Sequence, residues 1–139
     1  MKIAIDFDGT IVEHKFPEIG KELLFAFETM RELQKQKHQL ILWTYRSGKE
    51  LEEAVEFCRE RGIEFYAVNN SYPEEKYVEN ISRKIQADVY IDDRNIGGFP
   101  GWSAVWQMLN PSDSPEEELK KIREGSQSGS WFKRLLRNS

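Results

Sequence analysis

The stretch that decides the fold is Lys2-Ile3-Ala4-Ile5-Asp6-Phe7-Asp8-Gly9-Thr10, in which a short apolar run ends abruptly in two carboxylates. Such a run predicts a buried strand, and open α/β sheets bind their ligands at the carboxyl ends of strands. The same residues also fit a β-hairpin, because Asp8-Gly9 is a favourable type I′ turn that Thr10-Ile11-Val12 follows as a second strand. Taken alone, the stretch therefore predicts either a ligand-binding strand end or a hairpin.

A second acidic pair, Asp92-Asp93, follows the apolar run Val89-Tyr90-Ile91. If the two apolar runs are neighbouring parallel strands, the four carboxylates meet at one edge of the sheet. Such a cluster is electrostatically costly unless a cation neutralises it. Because neither His nor Cys lies nearby in the sequence, the oxygen ligands favour Mg²⁺ over zinc.

Strand-like and helical patterns alternate between and beyond these two runs. The predicted elements are strands at 2–5, 39–44, 63–68 and 89–91, and helices at 21–36, from a capping box at Ser47 to Gly62, and around Val78, Ile81 and Ile85. The helix at 21–36 is expected to bury Leu23, Leu24, Phe27, Met30 and Leu33. This alternation predicts an α/β fold, a Rossmann-like three-layer sandwich with a mostly parallel sheet.

The C-terminal third is expected to complete one domain, residues 1–124, and to add a tail. Trp102 and Trp106 at helical spacing predict a helix packed on the sheet, and a capping box with Pro115 predicts another helix from 114 to about 123. The Gly/Ser-rich residues 125–130 are typical of a flexible linker. The residues that follow, up to 139, are expected to form a basic amphipathic tail.

The composition is that of one globular domain. The chain has 139 residues and a net charge of −4, so it lacks the basic footprint of a nucleic-acid-binding protein. No apolar run approaches the roughly 18 residues of a membrane-spanning helix, and the tail is too short for a stable membrane anchor. A lone cysteine, Cys58, and an apolar run too short for a signal peptide at the N-terminus favour the cytoplasm.

Two further residues extend the pattern that the acidic pairs begin. Thr44 ends the second predicted strand just before a helix, where a hydroxyl can hold a phosphate oxygen. A lysine precedes Asp92, either Lys84 or Lys76, and Lys84 is preferred because it lies on the predicted short helix that leads into the fourth strand. The order along the chain is therefore Asp-x-Asp, Thr, Lys, Asp-Asp.

In this order, residues 1–95 resemble the haloacid dehalogenase (HAD) superfamily of phosphohydrolases, in its capless phosphatase type. The motifs of that family are similar to Asp6-Phe7-Asp8-Gly9-Thr10, Thr44, Lys84 and Asp92-Asp93. The resemblance implies that Asp6 is the nucleophile and forms an aspartyl-phosphate, and that Asp8 acts as general acid and then as general base. A carboxylate nucleophile suits this chemistry, because it is ionised at pH 7 without a separate base.

The resemblance also implies how the substrate and a Mg²⁺ cofactor are bound. Thr44, Lys84 and Thr10 would hold the phosphoryl group; Lys84 would also orient Asp6, and Thr10 would steady Asp8. Mg²⁺ would be bound by Asp6, the Asp8 main-chain carbonyl and Asp92, with Asp93 behind these ligands. Phosphoryl transfer requires such positive charge around the equatorial oxygens.

Relatives in this superfamily often carry a cap domain, but the stretches 11–39 and 45–83 are too short to contain one. An open site predicts either a large substrate or a second copy of the chain over the rim, that is, a homo-oligomer. The substrate would be a sugar phosphate, a nucleotide or a phosphorylated macromolecule. The candidate rim residues are His14, Lys15, Arg46, Asn69, Asn70, Arg94 and Asn95.

Two other functions fit parts of the pattern. A phospho-accepting signalling domain of the receiver type also combines acids, a Thr and a Lys, but its acceptor Asp ends the third strand. Here that position is Val68-Asn69-Asn70, without an acid. The second alternative is a non-catalytic phosphate-binding module, against which the intact set of acids argues. The sequence therefore favours a phosphomonoesterase.

Overall fold

The computed structural model of the chain describes residues 1–111. The elements are β1 (Lys2–Ile5), α1 (Ala26–Lys35), β2 (Gln39–Leu42), α2 (Gly48–Arg59), β3 (Ala67–Val68), β4 (Val89–Ile91) and α3 (Trp102–Leu109). The chain divides into two units after Phe99, so α3 belongs to the second unit. The predicted helix at 114–123, the end of the predicted domain at 124, and the linker and tail at 125–139 lie outside the described residues.

The four strands form one sheet in the order β3-β2-β1-β4, and every pair is parallel. From β1 the chain steps outward through β2 to β3 and then returns to the other side of β1. Right-handed connections therefore place α1 and α2 on one face of the sheet and residues 69–88 on the other. This architecture confirms the predicted α/β Rossmann-like sandwich. Within residues 1–111, neither 11–39 nor 45–83 contains a further domain.

Both faces of the sheet are buried, which explains why its strands are apolar without alternation. Ile3 and Ile5 share one face with their partners on β2, Leu40 and Leu42, and all four are at most 1% exposed. On the opposite face, Ala4, Ile41 and Ala67 pack against Ile85. Each fully buried aliphatic side chain of this size contributes about 1.5–3 kcal/mol, so the sheet holds the strand ends in a fixed register.

The first helix is shorter than the sequence predicts. It begins at Ala26 instead of residue 21, because Phe25 has a positive φ of 66° and the preceding residues pair with the loop after β1. Glu13 N–H donates to the Lys21 carbonyl at 2.7 Å, and Leu23 N–H donates to the Ile11 carbonyl at 2.9 Å. Leu24, which was expected in the core, is 65% exposed.

The helix predicted around Val78, Ile81 and Ile85 is not formed, and its prediction is wrong. Ile85 is buried, but Val78 and Ile81 are exposed. Hydrogen bonds between side chains and main chain replace a helical ladder here: Gln86 N–H donates to the Ser71 hydroxyl at 2.9 Å, and Ser71 N–H donates to the Glu75 carboxylate. The strand predicted at 63–68 is likewise reduced to Ala67–Val68, and that predicted at 39–44 ends at Leu42.

The helices of residues 1–111 include none with the length and apolar character that crossing a bilayer requires.

Candidate functional site

The register of β1 and β4 brings the two acidic pairs together. Ile5 and Ile91 are partners, and Asp6 N–H donates to the Ile91 carbonyl at 2.9 Å. The residues that follow, Asp6 and Asp92, therefore lie at the same edge of the sheet. Carboxylate oxygens of Asp6, Asp92 and Asp93 all lie within 4.8 Å of one another. The resemblance placed Asp93 behind the metal ligands. In the structure its carboxylate lies in the cluster itself, beside those of Asp6 and Asp92.

A tight turn after β1 orients the first pair. The Phe7 carbonyl accepts the N–H groups of Thr10, Ile11 and Val12 at 3.3, 2.9 and 3.2 Å. Phe7 is fully buried, while Asp6 and Asp8 on either side of it line a cavity at the edge of the sheet. The hairpin alternative is wrong, because β1 pairs with β2 and β4, and Val12 forms its antiparallel bridge with Glu22.

Gly9 allows this turn and the approach of Asp93. Its φ is +87°, a region that other residues rarely adopt. A Cβ at this position would lie 2.2 Å from the Asp93 Oδ2 atom. The glycine of the motif is therefore required by the position of the fourth strand's acids as well as by its own backbone.

Gly9→Ala is expected to lower the affinity for a divalent cation about 10-fold to 100-fold, as displacement of groups that support metal ligands does. Backbone strain should also cost about 1–3 kcal/mol of stability. Gly97→Ala is the matched control, since Gly97 has a φ of +92° but no atom within 4 Å of its added Cβ. Gly97→Ala therefore introduces the same backbone strain as Gly9→Ala but no steric clash with a neighbouring side chain. Equal loss of metal affinity in both variants, measured by titration calorimetry, would contradict this assignment.

The environment of Asp6 disfavours its ionised form. Burial, the negative charge of Asp92 and a hydrogen bond with Asp93 together raise the pKa of Asp6 to about 7. Thr10 Oγ1 donates to Asp6 Oδ2 at 3.2 Å. Thr10 is fully buried and supports Asp6 through this bond, and its contact with the substrate phosphate stays a prediction that the burial does not support.

Asp8 is held by a buried arginine that the sequence placed on the rim. Arg46 Nε donates to Asp8 Oδ2 and Arg46 Nη2 donates to Asp8 Oδ1, both at 2.8 Å. The arginine side chain is 0% exposed and that of the aspartate 12%. This bidentate geometry is the strong form of the ion pair. Both carboxylate oxygens of Asp8 are thus bonded to Arg46.

The remaining donors of Arg46 bind carbonyls of two further segments of the chain. Its Nη1 donates to the Pro17 carbonyl at 3.1 Å and to the Glu50 carbonyl at 3.4 Å, and its Nη2 donates to the Glu18 carbonyl at 2.8 Å. With the two bonds to Asp8, all five N–H groups of a guanidinium are used. Arg46 therefore fixes Asp8, the 17–18 loop and the start of α2 to one another.

The acidic cluster opens into a cavity of about 630 Å³. Its other walls include Trp43, Thr44 and Tyr45 from the end of β2. Thr44 N–H donates to Asn69 Oδ1 at 2.8 Å, and Thr44 Oγ1 accepts the Arg46 N–H at 3.2 Å. The threonine hydroxyl oxygen is thereby held at the wall of the cavity.

The structure does not bring the predicted lysine into this cavity. Lys84 is exposed, and its Nζ lies 5.5 Å from the centre of the Tyr90 ring. The absence of the expected helix accounts for this placement. Lys76, the alternative, lines a second cavity that adjoins the first. The catalytic and phosphate-binding roles given to Lys84 remain predictions that this geometry does not support.

The candidate rim residues separate into four groups. His14 and Arg94 line the acidic cavity, Asn69 and Asn70 line the second cavity, Arg46 is buried, and Lys15 and Asn95 line neither cavity. Sequence reasoning missed the aromatic walls formed by Phe16, Trp43 and Tyr45. The positions of Trp43 and Tyr45, on either side of Thr44, were the signal that could have identified two of them.

A solved structure of a conserved protein, coded by a locus of Bacteroides thetaiotaomicron, is similar to this chain. Its TM-score is 0.76 at 54% sequence identity, and the match covers 82% of this chain and 93% of that one. The chain belongs to the same family as that protein. The likeness to this conserved protein establishes family and fold. No protein-family model matches the chain, and no curated protein matches it.

Proposed function

We propose that the chain is a Mg²⁺-dependent phosphomonoesterase that transfers a phosphoryl group first to Asp6 and then to water. The observation that carries the proposal is the convergence of Asp6, Asp92 and Asp93, whose oxygens lie within 4.8 Å of one another. The same cavity is lined by Asp8 and Thr44. It therefore contains a nucleophile, a second carboxylate and a hydroxyl donor.

These residues fit Mg²⁺. Three carboxylates in one cluster repel one another without a cation, and hard oxygen ligands are those that Mg²⁺ prefers. Asp6, Asp92 and Asp93 would hold the ion together with the Asp8 main-chain carbonyl, which accepts no main-chain hydrogen bond among residues 1–111. When bound, the ion supplies positive charge that offsets the charge of the phosphoryl oxygens.

The reaction proceeds in two displacements. An oxygen of Asp6 bonds to phosphorus while the bond to the ester oxygen breaks, which gives an aspartyl-phosphate and an alcohol. Water then bonds to phosphorus, the bond to the Asp6 oxygen breaks, and inorganic phosphate leaves. Thr10 holds Asp6 through its 3.2 Å hydrogen bond, and Thr44 donates its hydroxyl to a phosphoryl oxygen.

We assign the proton transfers to Asp8. It gives a proton to the ester oxygen in the first displacement and takes one from water in the second. To do so, one Asp8 oxygen leaves Arg46 and takes up a proton from water when the substrate binds; that proton passes to the ester oxygen, and the proton taken from water in the second displacement restores the acid form. This pairing through both oxygens also favours a second candidate function, a phosphate-binding module without turnover. A receiver-like function has no such support, since Val68-Asn69-Asn70 provides no acid at the end of β3.

Hydrolysis of p-nitrophenyl phosphate tests the proposal. Turnover is expected with Mg²⁺, loss of turnover with EDTA, and recovery when Mg²⁺ is added back. Asp92→Asn should raise the Mg²⁺ concentration required for half-maximal activity by about 10-fold or more. Asp88→Asn is the matched control, because Asp88 lies before β4 and its carboxylate accepts the Lys2 N–H at 2.7 Å. Turnover without any divalent cation would contradict the metal site, and Mg²⁺-dependent phosphate binding without turnover would favour the binding module.

The setting of this activity is also proposed. We place it in the cytoplasm, where a lone thiol stays reduced. Burial raises the pKa of the Cys58 thiol to about 12, so this residue is not a nucleophile.

The open cavity accepts either a phosphorylated macromolecule or a phosphorylated small molecule enclosed by a second copy of the chain. The mass in solution distinguishes the homo-oligomer from the monomer.

A further inference from the structure

A second cavity, of about 320 Å³, adjoins the acidic cavity at the same edge of the sheet. Trp43 and Thr44, at the end of β2, line both. The acidic cavity lies at the ends of β1 and β4, and the second lies towards the end of β3, where Asn69 and Asn70 line it. The carboxyl edge of the sheet therefore carries two neighbouring compartments that share Trp43 and Thr44 as walls.

The second compartment differs from the acidic cavity in its polar residues, most of which are hydrogen-bond donors rather than carboxylates. Its walls include Lys76 and Arg83, and neither makes an ion pair with an acid among residues 1–111. The Arg83 guanidinium stacks over the Tyr77 ring at 5.2 Å. One acid, Glu75, lines the compartment, and its carboxylate accepts the Ser71 N–H.

Asn69 adds a side-chain amide of fixed position to this compartment. Asn69 has a φ of 53°, and its Oδ1 accepts the Thr44 N–H at 2.8 Å. Because this bond identifies the side-chain oxygen, it also fixes the position of the Nδ2 group, whose two hydrogens can be donated to a ligand. The compartment thus combines two cations and an oriented amide beside the threonine that the acidic cavity shares.

We infer that this compartment binds the leaving group of the substrate and selects phosphomonoesters whose leaving group carries a second anion, a carboxylate or a phosphate. The inference rests on the proposed function for the phosphoryl end. Trp43 and Thr44 line both cavities, so a leaving group that extends past them from a phosphorus at Asp6 enters the compartment of Lys76 and Arg83. Because residues 1–111 contain no cap domain, these side chains provide the recognition that a cap would otherwise supply.

Matched esters test the inference. For a carboxylate, 3-phosphoglycerate is compared with glycerol 3-phosphate; for a phosphate, fructose 1,6-bisphosphate is compared with fructose 6-phosphate. In at least one pair, kcat/KM is expected to be about 10-fold to 100-fold higher for the ester with the second anion, the size of effect that a hydrogen bond to a charged group gives. The pair that shows the preference identifies the anion.

Removal of the cations should abolish this preference. In Arg83→Gln and Lys76→Met, the ratio of kcat/KM within the preferred pair is expected to fall about 10-fold, mainly through KM. Lys35→Met is the matched control, since Lys35 is an exposed lysine on α1 that pairs with Glu32; the ratio should stay at the wild-type value. Equal kcat/KM within both pairs in the wild type, or an unchanged ratio in Arg83→Gln and Lys76→Met, would overturn the inference.

Failure of the proposed function gives a different result. If the wild type hydrolyses none of the four esters, the same pairs are compared by calorimetric titration of the Mg²⁺-loaded protein. Tighter binding of the ester with the second anion, lost in Arg83→Gln, would then support the anion-binding compartment without phosphatase activity. Equal dissociation constants within both pairs would overturn it.

Discussion

Asp6→Asn is expected to reduce the hydrolysis of p-nitrophenyl phosphate roughly ten-thousand-fold, a loss typical of removing a covalent nucleophile. The amide cannot form the acyl phosphate, and it replaces one of the three carboxylates that converge at the cavity. The measurement is kcat at saturating Mg²⁺. Glu28→Gln, on the half-buried side of α1, is an acid-to-amide control that should leave turnover intact. Turnover that survives Asp6→Asn would show that another group attacks phosphorus.

The same variant should change how stability depends on pH. In the metal-free protein the pKa of Asp6 is raised from 3.8 to about 7, so the folded state holds this proton more tightly than the unfolded state. Its contribution to stability is complete below about pH 4 and is lost as the pH rises through about 7. The amide of Asp6→Asn does not titrate, so the variant does not lose stability in this way as the pH rises. The difference in melting temperature between variant and wild type should therefore grow from pH 5 to pH 8, and a constant difference would contradict it.

Arg46→Met is expected to lower the free energy of unfolding by about 3–5 kcal/mol, the cost of breaking a buried ion pair by removing one partner. The change leaves the Asp8 carboxylate without its two hydrogen bonds and leaves the carbonyls of Pro17, Glu18 and Glu50 without theirs. Urea unfolding in the absence of metal measures the loss. Arg46→Lys should recover part of it at most, because lysine offers three donors in place of five.

Two comparisons make this result specific. Arg59→Met removes an arginine whose ion pair with Glu56 is exposed and screened by solvent, and it should destabilise the protein far less than Arg46→Met does. The double variant Asp8→Asn with Arg46→Met should be less destabilised than the sum of the single variants. Each single variant leaves one buried charge without its partner, whereas the double variant removes both charges. A loss below about 1 kcal/mol in Arg46→Met would show that the pair does not hold the loop and α2 together.

Short apolar runs that end in acid were enough to predict the sheet and its acidic edge. The strands Lys2–Ile5 and Val89–Ile91 lie as the sequence predicts, and their partnership brings Asp6 beside Asp92 and Asp93. These features are predictable because a buried parallel strand needs a continuous apolar run, and the side chain that follows it must lie at the carboxyl edge.

The positions of the basic side chains, Arg46 and Lys84, were not predictable in this way. Arg46 appears in the sequence as one polar residue of a loop, yet it is fully buried, because Asp8 from the turn after β1 and three carbonyls from two other segments satisfy its donors. Lys84 was expected on a helix that the chain does not form, since hydrogen bonds between side chains and main chain shape residues 71–86.

The sequence by itself determined which strands form, that they are buried on both faces, and which carboxylates stand at their ends, because these depend on the order of apolar and polar residues along single segments. Only the tertiary structure decided the partners of those carboxylates: Asp93 against Gly9, Thr10 on Asp6, and Arg46 on Asp8. Such partnerships depend on distances between segments remote in the chain, and no local pattern of residues encodes them.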